Sequence, residues 1–366
     1  MPATKNIAIY IDSLAGGGAE RVMLSLANEF STLGHKVHFF LLESVIDYVP
    51  DPGISLHLLP SKGKRTKITN LIHVKKTAKD MEKLVRDVEL KEGLFDLHLV
   101  NLDSTNQVLH HCSFNNVFYV IHNSIQQELN TAQKRNPFRY LRTRREKAIL
   151  NGKHLIAVSQ GVADEIKRLN FIKPASVQTI YNPCDIEKIK VLANDKNDEI
   201  PDFPYLIHIG RVVRQKRHDV LFAALRDIPD IKLVLLCKNV KKVRKLAEKM
   251  GVADRIITPT FQENPYNWIK NAKLMVFSSD FEGLGMVLIE SLICDTPVVS
   301  TNCDFGPSEI LTNELTEYLV PTNAPERLAQ KVNQALKTEI NTQNADILKK
   351  VELSHITQQY LSLINN

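Results

Sequence analysis

No apolar run in the 366 residues approaches the ~18 that a membrane-spanning helix needs. The first apolar stretch, Ile7–Ile11, meets Asp12 at once, too short and too polar for a signal peptide. Glycine and proline are scarce, 14 and 16 residues, which excludes collagen-like repeats and low-complexity disorder. The five cysteines (Cys112, Cys184, Cys237, Cys294 and Cys303) are odd in number, scattered and never in a CxxC pair. That excludes a disulfide framework and a zinc site and points to reduced thiols in a cytoplasmic protein. His110-His111 beside Cys112 suggests no metal geometry. There is no DxD carboxylate pair to clamp a divalent metal on a diphosphate, and no GxSxG, P-loop or HExxH. No repeat with a period of roughly 20–50 residues is visible.

What is present is a globular composition, 43 % apolar and 24 % charged. The length fits two domains of about 150 residues or more. Charge is unevenly spread. Residues 1–185 carry 24 Lys and Arg against 18 Asp and Glu, whereas residues 186–366 carry 23 of each. The N-terminal half therefore suits an anionic partner.

The pattern alternates strand and helix. Asn6–Ile11, Val37–Leu42, Ser55–Leu59, Leu97–Val100, Val117–Ile121, His154–Val158 and Val177–Ile180 read as strands. A helix over 19–33 has its apolar face at Val22, Met23, Leu26, Ala27, Phe30 and Leu33, and Gly34 is its stop signal. Basic helices are expected over 68–90 and 139–150, and a shorter one over 161–169. Residues 194–204, polar with two prolines, read as a linker. A second series follows, with strands at Tyr205–Ile209, Lys232–Leu236, Ile256–Thr258, Leu274–Phe277, Pro297–Ser300 and Tyr318–Val320 and helices between them. One terminal helix is expected over 345–363. Two doubly wound parallel sheets in series imply a ligand cleft facing their carboxyl ends.

Several short motifs sit where such folds bind ligands. Gly16-Gly17-Gly18 lies between a strand and a helix start, where glycines let backbone N–H groups approach phosphate; taken alone it also fits a flexible turn. His208-Ile209-Gly210-Arg211 with Lys216 opens the second half similarly, and Arg211 can grip phosphate oxygens bidentately. With Arg214 and Arg217 beside them, these residues also fit a solvated basic loop. Glu282 and Glu290 flank a Gly283-Leu284-Gly285-Met286 stretch. A glutamate among Val287, Leu288 and Ile289 is costly unless paired or bound. His122 ends a strand, where α/β sites gather. The basic stretches Lys62–Lys67, Lys75–Lys79 and Arg135–Lys147 fit an anionic membrane or acceptor surface, or a plain solvated face. Only Phe138 and Tyr140 interleave them, too few aromatics for nucleic-acid binding.

In that order and at those places, the motifs resemble the GT-B glycosyltransferases of family 4, retaining enzymes that use sugar nucleotides. The resemblance spans nearly the whole chain. Gly17–Arg21 is similar to the family's N-terminal glycine motif, and Gly210-Arg211 through Lys216 to its diphosphate-binding Arg/Lys pair. Glu282 to Glu290 resembles its E-x7-E signature, followed by Thr296-Pro297-Val298-Val299. Asn264-Pro265-Tyr266 and Gly306–Leu311 resemble segments of the branch that builds lipopolysaccharide, capsule and lipid-linked glycans.

The resemblance implies two Rossmann-like domains facing a central cleft. Residues 1–185 would take the acceptor, 186–344 the donor, and a helix over 345–366 would cross back onto the first domain. Arg211 and Lys216 would hold the donor diphosphate, Glu290 the ribose and Glu282 the transferred sugar. Gly17 and Gly18, with backbone groups of Gly283, Leu284, Gly285 and Met286, would complete the phosphate site. His122 would lie by the donor sugar and Glu20 by the acceptor. The implied reaction is retaining transfer of a hexose or N-acetylhexosamine from a nucleoside-diphosphate sugar, with UDP the expected nucleotide, to a glycan or lipid-linked acceptor of the cell envelope. No metal and no cofactor are expected, and no nucleic-acid partner. The implied location is cytoplasmic, peripheral on the inner face of the plasma membrane. The competing readings are another GT-B enzyme, such as a nucleotide-sugar epimerase or a glycan phosphorylase, and a non-enzymatic protein that binds anionic surfaces. Three positions depart from the pattern. Leu284 stands for a Phe, Ser308 for a frequent Arg, and Asp295 for a Gly at a helix end where positive φ is expected.

Overall fold

The computed structural model describes residues 3–59, 71–259 and 262–365. The chain divides into two compact units, Met1–Pro183 with Val351–Asn366, and Cys184–Lys350.

The first unit runs β1 (Asn6–Ile11), α1 (Gly18–Thr32), β2 (Lys36–Leu41), β3 (Ile54–Leu58), α2 (Leu71–Glu92), β4 (Leu97–Asn101), α3 (Asp103–Leu109), β5 (Val117–Ile121), α4 (Ile125–Arg135), α5 (Pro137–Lys147), β6 (His154–Ala157), α6 (Gln160–Arg168) and β7 (Ser176–Thr179). Its sheet has the order β3-β2-β1-β4-β5-β6-β7, and every pairing is parallel. Helices on both faces bury the inner strands from two sides, so β4 is buried along its whole length and β1 nearly so. Tyr10 pairs with Phe40 and Val100, and Phe40 with His57. That register stacks Tyr10 on Phe40 and on His98, and Phe40 on His57.

The second unit runs α7 (Ile186–Ala193), β8 (Tyr205–Ile209), α8 (His218–Arg226), β9 (Lys232–Leu236), α9 (Val240–Lys249), β10 (Ile256–Ile257), α10 (Tyr266–Lys270), β11 (Leu274–Phe277), α11 (Met286–Ile293), β12 (Val298–Thr301), α12 (Pro307–Ile310), β13 (Leu319–Val320), α13 (Pro325–Ala335) and α14 (Ile347–Lys350). Its parallel sheet has the order β10-β9-β8-β11-β12-β13. In both sheets the strand order thus reverses once, at β1/β4 and at β8/β11. In doubly wound sheets the carboxyl ends beside that reversal are where ligands bind.

Several features differ from the sequence reading. The helices α3, α4 and α7 are not expected from it; α4 buries only Ile125, Leu129 and Ala132, and α7 only Ile189 and Ala193. The single terminal helix is broken at Val351-Glu352: α14 belongs to the second unit, and α15 (Leu353–Ser362) packs on α1 of the first. Leu33, placed on the apolar face of α1, is exposed. At Asp295 the expected positive φ is found, at 58°. The basic stretch Lys62–Lys67 lies outside the described residues.

Candidate functional site

In the second unit, β8 is followed by Gly210 and Arg211, which lead to a 3-10 turn, Arg214–Lys216. Arg217 then takes a left-handed conformation, φ 46°, and caps α8. This loop is laced to the one that follows β11. Ser278 Oγ donates to the Lys216 carbonyl at 2.8 Å, the Asp280 N–H to the Gln215 carbonyl at 2.8 Å, and Gln215 Nε2 to the Phe281 carbonyl at 2.7 Å. Arg217 is ion-paired to Asp219 at 2.8 Å and Asp280 at 2.9 Å, which raises its pKa further and makes it part of the lacing.

Lys216 is thereby aimed across the reversal point. Its Nζ donates to Glu282 Oε1 at 2.8 Å and stands 4.8 Å from the centre of the Phe277 ring. The two side chains are 14 % and 11 % exposed. Beneath them His208 donates from Nδ1 to the Val276 carbonyl at 2.9 Å, with the His218 ring edge-on at 5.0 Å. Burial, then the neighbouring His218, holds His208 far below the ordinary imidazole range. His218 is held at about 4 by burial and by Lys216. Both rings are therefore held in the neutral form at pH 7.

Glu282 is fixed through its backbone, which donates to the Asp304 carbonyl at 3.1 Å beside a parallel Phe281–Asp304 bridge. The chain then turns at Gly285, φ 90°, into α11. A Cβ at Gly306, φ 92°, would collide with the Leu284 carbonyl, so only glycine lets these two loops close on one another. Glu290 is buried on α11, eight residues after Glu282. Arg211 stays exposed at the start of the β8 loop and makes no ion pair among the described residues. The structure therefore joins Lys216 to Glu282 and leaves Arg211 presented to solvent.

In the first unit, Gly17 caps α1 and Gly18 opens it. No described atom lies within 4 Å of where a Gly18 Cβ would stand, while the Glu20 carboxylate folds over Gly17. Glu20 thus sits in the first turn, where negative charge complements the helix dipole. His122 follows β5 and meets Asn101, the last residue of β4, at 2.8 Å from Nε2 to Oδ1. Asp12, just past β1, accepts from the Thr105 N–H at 2.8 Å and its hydroxyl at 2.6 Å. Ser124 caps α4 and donates at 2.6 Å to buried Glu165. Lys147 is buried between Asp103 at 2.7 Å and Glu128 at 2.6 Å. Burial alone would lower its pKa, but the two carboxylates outweigh burial and raise it. None of Asp12, Asn101, Thr105 and Glu165 stands out in the sequence, for partners up to 93 residues apart leave no local spacing. Only Ser124, three residues before Gln127, carries a local signal, that of a helix cap.

Among the described residues no three His, Cys, Asp or Glu side chains are grouped to hold a metal ion, and no helix is long and apolar enough to cross a membrane.

Two doubly wound units of this topology, each with its polar residues at the reversal point, define a GT-B glycosyltransferase architecture. HepE of Anabaena, solved with UDP and glucose, superposes with a TM-score of 0.74 over 99 % of both chains at 17 % identity. The galactosyltransferase WaaB of the lipopolysaccharide outer core does so with a TM-score of 0.69 over 99 % of both chains at 16 % identity. Residues 16–188 match the family described as Glycosyltransferase Family 4, and residues 192–350 the one described as Glycosyl transferases group 1. A Campylobacter jejuni protein is 26 % identical over 98 % of this chain and 99 % of its own length; its name is N-acetylgalactosamine-N,N'-diacetylbacillosaminyl-diphospho-undecaprenol 4-alpha-N-acetylgalactosaminyltransferase. The lipopolysaccharide core glycosyltransferase LpsE of Rhizobium meliloti is 25 % identical over 57 % of this chain and 63 % of its own. The chain belongs to glycosyltransferase family 4.

Proposed function

We propose that this glycosyltransferase moves a hexose or N-acetylhexosamine from a nucleoside-diphosphate sugar, UDP-linked, to a glycan or lipid-linked acceptor of the cell envelope, with retention and without a metal. The Lys216–Glu282 pair at the β8/β11 reversal is the observation that carries this reading. Burying an ion pair is expensive, and a lysine–glutamate pair set there suits a site that must receive a leaving diphosphate. Arg211, exposed on the same loop, adds a bidentate grip. Glu282 takes the sugar hydroxyls and Glu290 the ribose. The N-terminus of α11, with Gly283, Leu284, Gly285 and Met286, offers N–H groups to phosphate. In the first unit Gly17 and Gly18 are assigned to phosphate, His122 to the sugar and Glu20 to the acceptor. The first unit serves the acceptor and the second the donor.

The bond from the sugar's anomeric carbon to the phosphate oxygen breaks, the acceptor oxygen bonds to that carbon on the same face, and the leaving phosphate takes the hydroxyl proton. The names of the Campylobacter and Rhizobium relatives support an envelope or lipid-linked acceptor. The composition of α5 supports a peripheral place on the inner face of the plasma membrane. Phe138 and Leu141 are 80 % and 59 % exposed on it, among Arg139, Arg142, Arg144 and Arg145.

The test is a donor screen with lipid-linked acceptors, read by mass spectrometry and by NMR of the product's anomeric centre. Transfer that survives excess EDTA with retained configuration is expected. An inverted product, or activity lost in EDTA and restored by Mg²⁺, overturns the mechanism.

A further inference from the structure

Asn101 is wholly buried, and its amide is held on both sides. Nδ2 donates to the backbone carbonyls of Tyr10 at 3.2 Å and Leu99 at 3.3 Å. Flipping the amide would set its oxygen against those two carbonyl oxygens, so Oδ1 is fixed as the atom that meets His122 Nε2 at 2.8 Å. An amide oxygen can only accept. Nε2 therefore carries the imidazole proton, and Nδ1 carries the lone pair. Burial independently favours the neutral ring, holding the His122 pKa at about 4.

The backbone next to Asn101 is strained. Leu102 has φ 70° and ψ 159°, a region that is almost entirely glycine's. Side chains with a Cβ stay there only where their surroundings over-determine them. Here Asp12 grips Thr105 and the Asn106 N–H bonds the Leu102 carbonyl at 2.9 Å, pinning the start of α3.

We propose that Asn101 is a positioning residue that locks His122 as the neutral Nε2–H tautomer, so that the ring meets the donor sugar as a hydrogen-bond acceptor at Nδ1. This rests on the assignment of His122 to the sugar made above. The ring then takes a proton bond from a sugar hydroxyl and gives none. It discriminates against donors that lack that hydroxyl, since a site built for a hydroxyl is left unpaired without one. It is no general acid for the leaving group.

The test uses the full chain. Long-range proton–nitrogen spectra of the histidine rings, with His122 assigned by the signal lost in His122→Gln, are expected to show Nε2–H, bare Nδ1 and a neutral ring at pH 7. Asn101→Asp puts a carboxylate at Nε2 and is expected to raise the His122 titration by about 1–3 pH units. The acid limb of kcat/KM for the donor should move up by the same amount. An Nδ1–H tautomer, a ring charged at neutral pH, or an unmoved titration in Asn101→Asp overturns the proposal. The wild-type spectrum decides the tautomer even where Asn101→Asp does not fold. A chain with the expected spectrum that transfers sugar from no donor overturns the sugar-contact step and the transferase reading together, and leaves the lock itself standing.

Discussion

Lys216 Nζ bonds Glu282 Oε1 at 2.8 Å and so joins two loops that leave neighbouring strands 66 residues apart in the chain. Each charge is the other's main compensation in a nearly buried setting. A ligand that takes one of them must therefore satisfy both. A nucleoside-diphosphate sugar can: its phosphate suits the ammonium and its hydroxyls suit the carboxylate.

Lys216 and Arg211 should separate in stability and agree in catalysis. Lys216→Ala leaves Glu282 without its cation and should destabilise the protein by about 3 kcal/mol, the low end for a broken buried pair because both side chains keep some exposure. Arg211→Ala removes an exposed side chain and should stay within ~0.5 kcal/mol of wild type. Both should lower turnover by roughly 10²–10³, as losing one transition-state charge stabiliser does. Urea unfolding and steady-state kinetics on the two variants check this; wild-type turnover in both would remove the diphosphate site.

Much of this arrangement was legible in sequence, and the rest was hidden for physical reasons. Unbroken apolar runs such as Leu274–Phe277 announce strands buried on both faces. The Gly285 turn and the positive φ at Asp295 follow from local chemistry at a helix start and a helix end. By contrast, the pairing of Lys216 with Glu282 depends on strand order, which no local spacing encodes. Asn101 falls just past the Leu97–Val100 strand read from the sequence and carries no local signal there. The α4 helix escaped notice because one-sided burial of three residues barely rises above its polar background.

The exposed face of α5 should bind anionic membranes. Each nearby Lys or Arg contributes ~1 kcal/mol at such a surface, screened over ~10 Å in ordinary salt. Phe138→Ser with Leu141→Ser should weaken binding at all salt concentrations, while Arg139→Glu with Arg145→Glu should remove its salt dependence. Co-sedimentation with anionic and neutral vesicles reads both. Equal binding to the two lipid types would make α5 a plain solvated helix, and salt-sensitive preference for duplex DNA or RNA would restore the nucleic-acid reading.

Acid should destabilise the first unit through its stacked histidines. His38 bonds His57 at 3.0 Å, and the Tyr10 hydroxyl bonds His98 Nδ1 at 2.8 Å. Burial, then the neighbouring His57, holds His38 at about 4; burial, then Arg86, holds His98 at about 3. The unfolded chain protonates these rings near pH 6.5, so between that value and the folded pKa it binds more protons than the folded state. Stability is therefore full above about pH 6.5 and falls as the pH drops towards about 4. His98→Phe should lower the melting temperature at pH 8, because the buried Tyr10 hydroxyl loses its hydrogen-bond partner, yet flatten its decline in acid. Melting curves across that range check the slope; an unchanged slope counts against the assignment.

The two glutamates should part in kinetics. Glu290, buried on α11, is assigned to the ribose, which does not change during the reaction. Its contact serves ground state and transition state alike, so Glu290→Gln should mainly raise KM for the donor. Glu282 is assigned to the sugar, where positive charge develops, and its carboxylate is tied to Lys216. Glu282→Gln weakens both the sugar contact and the placing of the ammonium, so it should mainly lower kcat. It should also shift preference among epimeric donors, because a site built for one hydroxyl rejects a misplaced one. If both were merely structural, each Gln would cost stability and spare the kinetics of the molecules that remain folded. Kinetics normalised to folded protein decide the matter: two silent variants would sink the site, and a kcat effect at Glu290 with a pure KM effect at Glu282 would exchange their roles.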